Sequence, residues 1–338
     1  MLRAMADVVC FGEVMLRLTT PNHSSFADAP HLEMTFGGAE ANVAVQLAQF
    51  GRSAAFVSRL PENCLGDRCM EHLRQRGVGV SAVLRGGARM GVYFLEPGAG
   101  QRPGRVTYDR AHTAVSEMRP GMVDWEEAFG GARWFHWSGI TPGLGEGCAA
   151  LCREACKAAR RRGMTVSFDV NYRSKLWTHE AAAAALRPLM KLVNVCVAGE
   201  GDAVEILGAR ALKGPERERL PRLAGALVKQ YGFKTVALTC RTGDSASHTT
   251  FQGMIHAGGR SHFSRRHDVT VVDRVGAGDG FTGGLIFGLL RGDAPADAIE
   301  FAAATGAWKH TIPGDWNRCT VAEIEALAAG AGGARIGR

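Results

Sequence analysis

Short apolar runs punctuate the chain at Val8–Phe11, Ala54–Val57, Thr165–Asp169, Val193–Ala198 and Thr235–Thr239. Each is strand-length and apolar on both alternating sides, the pattern of a central strand covered on both faces. Between them lie longer segments with helical spacing: Ala41–Phe50, Cys148–Arg162, Glu180–Leu192, Pro221–Tyr231 and Phe281–Leu290. The Ala181–Ala185 run falls inside one of these, where alanine is favourable. Strand and helix in alternation predict an α/β fold, a doubly wound and mainly parallel sheet with helices on both faces. No internal repeat interrupts the series, and 338 residues suit a single large domain spanning 1–338.

Two stretches break the alternation, at about 14–36 and 86–113. They lack helical spacing and contain strand-like pieces such as VYFLE and RVTYD. Four short strands inserted there predict a small sheet beside the main one, placed as a lid over the carboxyl ends of the large sheet's strands, where ligands bind in such folds. A lid that excludes water suits phosphoryl transfer. The last stretch, Gly330 to Arg338, is rich in Gly, Ala and Arg and predicts a frayed tail.

Composition narrows the class. No run of about 18 apolar residues occurs, so no membrane span is expected. The N-terminus passes directly into a strand pattern without a signal-peptide core. Nine cysteines without a CxxC spacing fit a reducing compartment, so a cytoplasmic location is expected. Cys148, Cys152 and Cys156 share one helix face; small apolar core residues explain them better than a metal site. The net charge of +7 is spread in short arginine groups without interleaved aromatics, which gives no nucleic-acid pattern and is compatible with an anionic small substrate.

The most informative stretch is DRVGAGDGFTGG, residues 273–284. A dinucleotide GxGxxG would need glycine where Phe281 stands, and no GxxxxGK[ST] occurs. The remaining reading is a strand at 269–273, the turn Gly276-Ala277-Gly278-Asp279, and a helix beginning near Gly280. Unpaired N–H groups at such a helix start form an anion site, and small residues let a phosphate reach the backbone. Asp279 has two readings there. It caps the helix, or it orients an alcohol in line with a γ-phosphate and takes its proton while the N–H groups of 276–279 stabilise the transferred group.

DRVGAGDGF resembles the C-terminal signature of the PfkB (ribokinase-like) carbohydrate kinases, D-x-x-G-A-G-D, and GGAEANVAVQLAQFG at Gly37–Gly51 resembles their N-terminal signature. The two lie more than 200 residues apart and in the family's order, and the likeness covers essentially the whole chain. It implies a ribokinase-like domain, ATP and Mg²⁺ as cofactors, and a homodimer formed through the lid. Within the family the chain is most similar to 2-keto-3-deoxygluconate kinases, in GEVMLRLTTP, RVTYDRAHTA, FHWSGITPGL, SFDVNYRSKLW and KHTIPGDWN. Those enzymes phosphorylate the 6-hydroxyl of their sugar acid with MgATP.

Several residues follow for the sugar side. Gly37 and Gly38 precede a helix and either admit sugar hydroxyls to the backbone or simply make a tight turn. Asn42 lies in that helix's first turn. Tyr93, Tyr108 and Arg110 fall on strands of the lid, with 108 and 110 on one face. There Arg110 either meets a carboxylate or is a surface arginine. Arg173 stands after a buried strand, where the resemblance implies contact with an acid substrate, and Ile140 lines the same pocket. Two convergent arginines favour a keto acid over a neutral sugar. The resemblance also places Thr239, Arg241, Gly276, Gly278, His310 and Asn317 on the nucleotide side, although a structural turn accounts equally for the C-terminal pair. The chain departs from the family twice. Gly199 and Asp202 occupy the ends of the N-x-x-E motif, leaving Asp202 as the candidate for metal, and LTCRTGDSASH replaces the usual K-x-G-x-x-G loop. The alternatives are a PfkB kinase for fructose or a ketogluconate, and a non-catalytic sugar-binding relative; retention of Asp279 argues against the second.

Overall fold

The computed structural model describes residues 6–243 and 245–331. In chain order its strands are β1 Val8–Phe11, β2 Met15–Thr19, β3 Glu33–Gly37, β4 Ala54–Leu60, β5 Val83–Arg85, β6 Val92–Glu96 and β7 Arg105–Asp109. They continue with β8 Trp134–Ser138, β9 Thr165–Asp169, β10 Val195–Gly199, β11 Thr235–Thr242, β12 His248–Ala257, β13 Arg260–Phe263 and β14 His267–Thr270. The large sheet has the order β13-β12-β11-β10-β9-β8-β1-β4-β5, with β14 paired to β12. From β11 to β5 every pair is parallel; β12, β13 and β14 add antiparallel pairs at one edge. The chain leaves β1 toward β4 and β5, then returns to β8 on its other side. That reversal opens a crevice at the strands' carboxyl ends.

The predicted strand and helix alternation is present, with β1 and β9 at the boundaries read from the apolar runs. Helices cover both faces, and two apolar cores form. One, around Val8, Phe56, Phe251 and Phe281, lies on one side of the sheet; the other, around Phe11, Trp137 and Phe168, lies on the opposite side. Val8 and Val9 belong to different cores, as alternation along a doubly covered strand requires. Cys148, Cys152 and Cys156 are completely buried in the second core.

Four strands from the two irregular stretches make the small sheet, in the order β3-β2-β6-β7. Only β2 and β6 run parallel. Met15, Tyr93 and Leu95 form its inner apolar cluster, against which Val106, Tyr108 and Val275 pack. This seats the sheet on the loop that follows β14.

Some local expectations are corrected. Trp134–Ser138 is a wholly buried central strand whose Trp, His and Ser disguise it in the apolar pattern. The first helix, α1, spans Ala39–Gln49. The helix near Pro221 begins earlier, at Glu216, and carries that proline within it. Residues 187–192 tighten into a 3₁₀ turn. The strand expected at 269–273 ends at Thr270, and the following helix (Ala277–Arg291, here the loop helix) starts three residues before Gly280. Gly276 explains the early start: its φ of 84° turns the chain in the left-handed region, and a Cβ there would sit 2.2 Å from the Asp315 carbonyl oxygen. Of the expected tail, residues 332–338 lie outside the described residues. Among the described residues no helix is long and apolar enough to cross a membrane.

Candidate active site

A cavity of about 700 Å³ lies between the carboxyl ends of the central strands and the small sheet. Asp279 stands at its centre, in the first turn of the loop helix and 7% exposed. Its carboxylate is not used as a cap. Asn42 Nδ2 donates to Oδ2 at 2.6 Å, and Asn171 Nδ2 approaches Oδ1 at 3.5 Å. Asn42 is itself oriented by the Gly38 N–H, which donates to its Oδ1 at 3.2 Å and so turns its amino group toward Asp279. Burial raises the Asp279 pKa, while the Asn42 amide and the charges of Arg173 and Arg241 favour the ionised form. The first bond of the loop helix runs from the Gly280 N–H to the Gly276 carbonyl, so the Gly278 and Asp279 N–H groups, on residues that line the cavity, have no intrahelical partner. Gly276 and Gly278 line the cavity, whereas Ala277 is buried beneath it with its N–H 3.4 Å from the Arg274 carbonyl.

Of the residues expected on the sugar side, Gly38, Asn42, Tyr93, Tyr108, Arg110, Ile140 and Arg173 all line the cavity. Gly37 does not; it ends β3, and a Cβ there would lie 2.0 Å from an Asp315 carboxylate oxygen, so packing explains this glycine. Ile140 is placed by Glu40, whose Oε1 accepts hydrogen bonds from the Ser138 N–H and hydroxyl and from the Thr141 hydroxyl. The two arginines are unequal. Arg110 lies one residue beyond the end of β7, over the Tyr108 ring at 5.2 Å, and is ion-paired with buried Glu13. Its charge is therefore balanced within the protein. Arg173 makes no ion pair among the described residues, its Nη1 donating only to the neighbouring Tyr172 carbonyl at 3.1 Å. The expectation of two free arginines for an acid group is reduced to one.

Beyond Asp279 the cavity wall becomes acidic. Asp169, at the end of β9, accepts a hydrogen bond from Thr282 at 3.0 Å, yet burial and the Asp279 carboxylate push its pKa up to about 7. Asp202 follows in the short helix Glu200–Glu205, and burial also raises its pKa against the pull of the Gly199 N–H and Arg173. Among the described residues no three His, Cys, Asp or Glu side chains are grouped closely enough to chelate a metal directly. Asp169, Asn171 and Asp315 were not singled out from sequence. The first two could have been, since both stand at the end of a buried strand within DVNYR. Asp315 carries no local signal.

Of the residues expected on the nucleotide side, Thr239 and Arg241 line the cavity, with the Arg241 guanidinium 5.2 Å over the Phe251 ring. A Cβ on Gly278 would fall 3.1 Å from Arg241 Nη2, which places this charge at the start of the loop helix. His310 and Asn317 are not brought to the cavity. His310 is buried against Phe251, its Nδ1 on the Gly306 carbonyl, and burial lowers its pKa to about 4. Its own carbonyl accepts the N–H groups of Val272 and Asp273, so it braces the loop from behind. Asn317 donates to the Thr305 carbonyl at 3.4 Å and is structural in the same way.

The comparisons with known proteins agree with this geometry. The profile described as pfkB family carbohydrate kinase matches residues 5–319. A 2-dehydro-3-deoxygalactonokinase of Haloferax volcanii is 38% identical over 96% of this chain and 97% of its own length. A 2-dehydro-3-deoxygluconokinase of Thermoproteus tenax is 29% identical over 92% and 90%. The crystal structure of a 2-dehydro-3-deoxygluconokinase from Thermotoga maritima superposes with a TM-score of 0.94 at 47% identity, covering 96% of this chain and 98% of that one. With both signatures meeting at one carboxylate and the profile spanning nearly the whole length, the chain belongs to the pfkB family of carbohydrate kinases.

Proposed function

We propose that the protein phosphorylates the 6-hydroxyl of a 2-keto-3-deoxy sugar acid, 2-keto-3-deoxygluconate, with ATP. The observation that carries this reading is the pairing of Asp279, buried at a helix start, with the unpaired Arg173 in the same cavity. Arg173 attracts the substrate carboxylate, and Tyr93 and Tyr108 cover the carbon chain from the lid. Asp279 accepts the hydrogen bond of the sugar hydroxyl and turns its oxygen toward the γ-phosphorus. As the new P–O bond forms and the bond to the β-phosphate oxygen breaks, the hydroxyl proton passes to Asp279. The helix-start N–H groups and Arg241 stabilise the charge on the transferred group.

Mg²⁺ fits this site as a hydrated ion. Asp169 is crowded by the carboxylates of Asp279 and Asp202, with Arg173 only partly offsetting them, and Asp169 and Asp202 would hold the ion through its water shell. When bound with ATP it neutralises phosphate charge. The outer face of the small sheet supports a homodimer: Phe94 and half-exposed Met34 stand there beside Phe26, which is 39% exposed.

A second reading, the C4-epimeric 2-keto-3-deoxygalactonate, is favoured by the name of the 38% identical relative. A coupled assay across both acids, fructose and a ketogluconate separates these. The expected result is a kcat/KM for a keto-deoxy acid well above that for fructose, with Arg173→Leu erasing most of the preference. Losing a buried charge-assisted contact costs about 2–5 kcal/mol. Equal kcat/KM for the acid and fructose in the wild type overturns the sugar-acid reading.

A further inference from the structure

Beneath the anion loop lies a buried charge cluster that the reaction described above does not use. Arg17, on lid strand β2 and 2% exposed, spans from the small sheet into the main body. Its Nη1 donates to Asp315 Oδ1 at 2.8 Å, Nη2 to Asp273 Oδ2 at 2.5 Å and Nε to Thr19 at 2.7 Å. Tyr93, also on the lid, donates its hydroxyl to Asp315. Both aspartates then hold the loop itself. Asp273 accepts the Val275 N–H at 2.9 Å and the Gly314 N–H at 3.0 Å. The Asp315 carbonyl closes directly under Gly276, where there is no room for a Cβ. Lys309, fully buried, completes the cluster from the adjoining helix, its ammonium donating to the Ile312 carbonyl at 2.9 Å. Two cations thus balance two carboxylates.

Buried ion pairs of this kind contribute little net stability, because desolvation offsets most of the attraction. What a fork of fixed geometry does supply is a single relative position for the parts it joins. The joined parts are the lid that covers the sugar and the loop that holds the phosphate.

We propose that Arg17 is a positioning residue: it locks lid strand β2 to the 273–279 loop, so that the lid-held sugar hydroxyl, Asp279 and the transferring phosphoryl group are brought into line together. The proposal rests on the kinase reading above. Slack in this link costs turnover more than binding, since a displacement near 1 Å can cost about 10²-fold in rate. It also lets water reach the phosphoryl group while the sugar is out of line, so ATP is hydrolysed without transfer.

The test uses the full-length protein with Arg17→Met, Arg17→Lys, Tyr93→Phe and the charge-balanced pair Arg17→Met with Asp315→Asn. Melting temperature, kcat, KM for sugar acid and ATP, and the ratio of ATP hydrolysed to sugar phosphorylated are measured. We expect Arg17→Met and the balanced pair to lose about 10–10²-fold in kcat, with KM changed only a few-fold and the hydrolysis ratio raised. Arg17→Lys should recover part of the loss. Tyr93→Phe removes a hydrogen bond but no charge, and should show the same raised ratio in a smaller degree even where the Arg17→Met protein does not fold. Folded variants with wild-type kcat and coupling overturn the proposal, as does a loss of rate fully accounted for by loss of folded protein. A wild type that phosphorylates no sugar acid overturns instead the reading on which the proposal rests.

Discussion

At the scale of single residues, the site is a balance between burial and neighbouring charge. Asp279 is held off its helix backbone by Asn42, so a proton-accepting role is available to it. Asp279→Asn preserves shape and the helix start while removing the acceptor, and should lower kcat by at least about 10²-fold with ATP and sugar affinities within a few-fold. A variant that keeps most of its activity by the coupled assay returns Asp279 to a purely structural role. Asp169 gives a pH prediction. Its folded pKa, near 7, lies above that of the unfolded carboxyl, so the folded state binds the extra proton. Its contribution to stability is full below the unfolded value and is lost as pH rises toward and through 7. Without nucleotide or metal, the melting temperature should therefore fall between about pH 5 and pH 8, and Asp169→Asn should remove much of that fall. Parallel melting curves for the two proteins across this range would contradict the assignment.

At the scale of elements, the candidate site residues gather where strands end and helices begin, and one such junction departs from the family pattern. Gly199 ends β10 and opens the helix Glu200–Glu205 where relatives are expected to have Asn. Its φ of −82° is ordinary for any residue, and a Cβ there would meet only Asp202 Oδ2, at 3.6 Å. Asn therefore fits without strain, and as an N-cap it is worth about 0.5–2 kcal/mol over a residue without a capping side chain, though less over glycine. Gly199→Asn should also reduce the free Mg²⁺ needed for half-maximal rate, by about tenfold if its amide orders the metal's water shell. A Mg²⁺ titration at fixed ATP checks this. Superimposable titrations would show that the amide is dispensable and that Asp202 has no part in the metal site.

At the scale of the whole molecule, the small sheet has two jobs on its two faces. Inward it presents Met15, Tyr93 and Tyr108 to the cavity; on the other face Leu16, Leu18 and Phe36 pack on the main core, and Met34 and Phe94 stand beyond them. An apolar sheet face next to exposed Phe26 is costly in water, and in the homodimer proposed above a second copy of the chain would cover it. Met34→Glu should then convert a dimer into a monomer by sedimentation equilibrium while leaving the melting temperature of the cavity side little changed. If wild type and variant sediment alike as monomers, the outer face is not a dimer interface.

How much of this was legible beforehand depended on distance along the chain. Apolar runs located β1 and β9, the breaks in alternation located the four strands of the small sheet, and the Gly276–Asp279 turn marked a helix start that lines the cavity. Each is a property of a window of a few residues, where side-chain period and turn chemistry act. The aromatic strand Trp134–Ser138 was missed because its burial comes from neighbours on both sides rather than from its own composition. The fate of individual charges was equally hidden. Glu13 lies 97 positions from the Arg110 it neutralises, and Asp315 lies 298 from Arg17. His310 and Asn317 have site-like polarity but spend it on backbone carbonyls behind the loop. Sequence alone determined the family and the sheet and singled out Asp279 as the candidate carboxylate, because these rest on local pattern. Tertiary structure alone decided which of Arg110 and Arg173 is left without an ion pair among the described residues, because a buried charge must find its partner wherever packing brings one within reach.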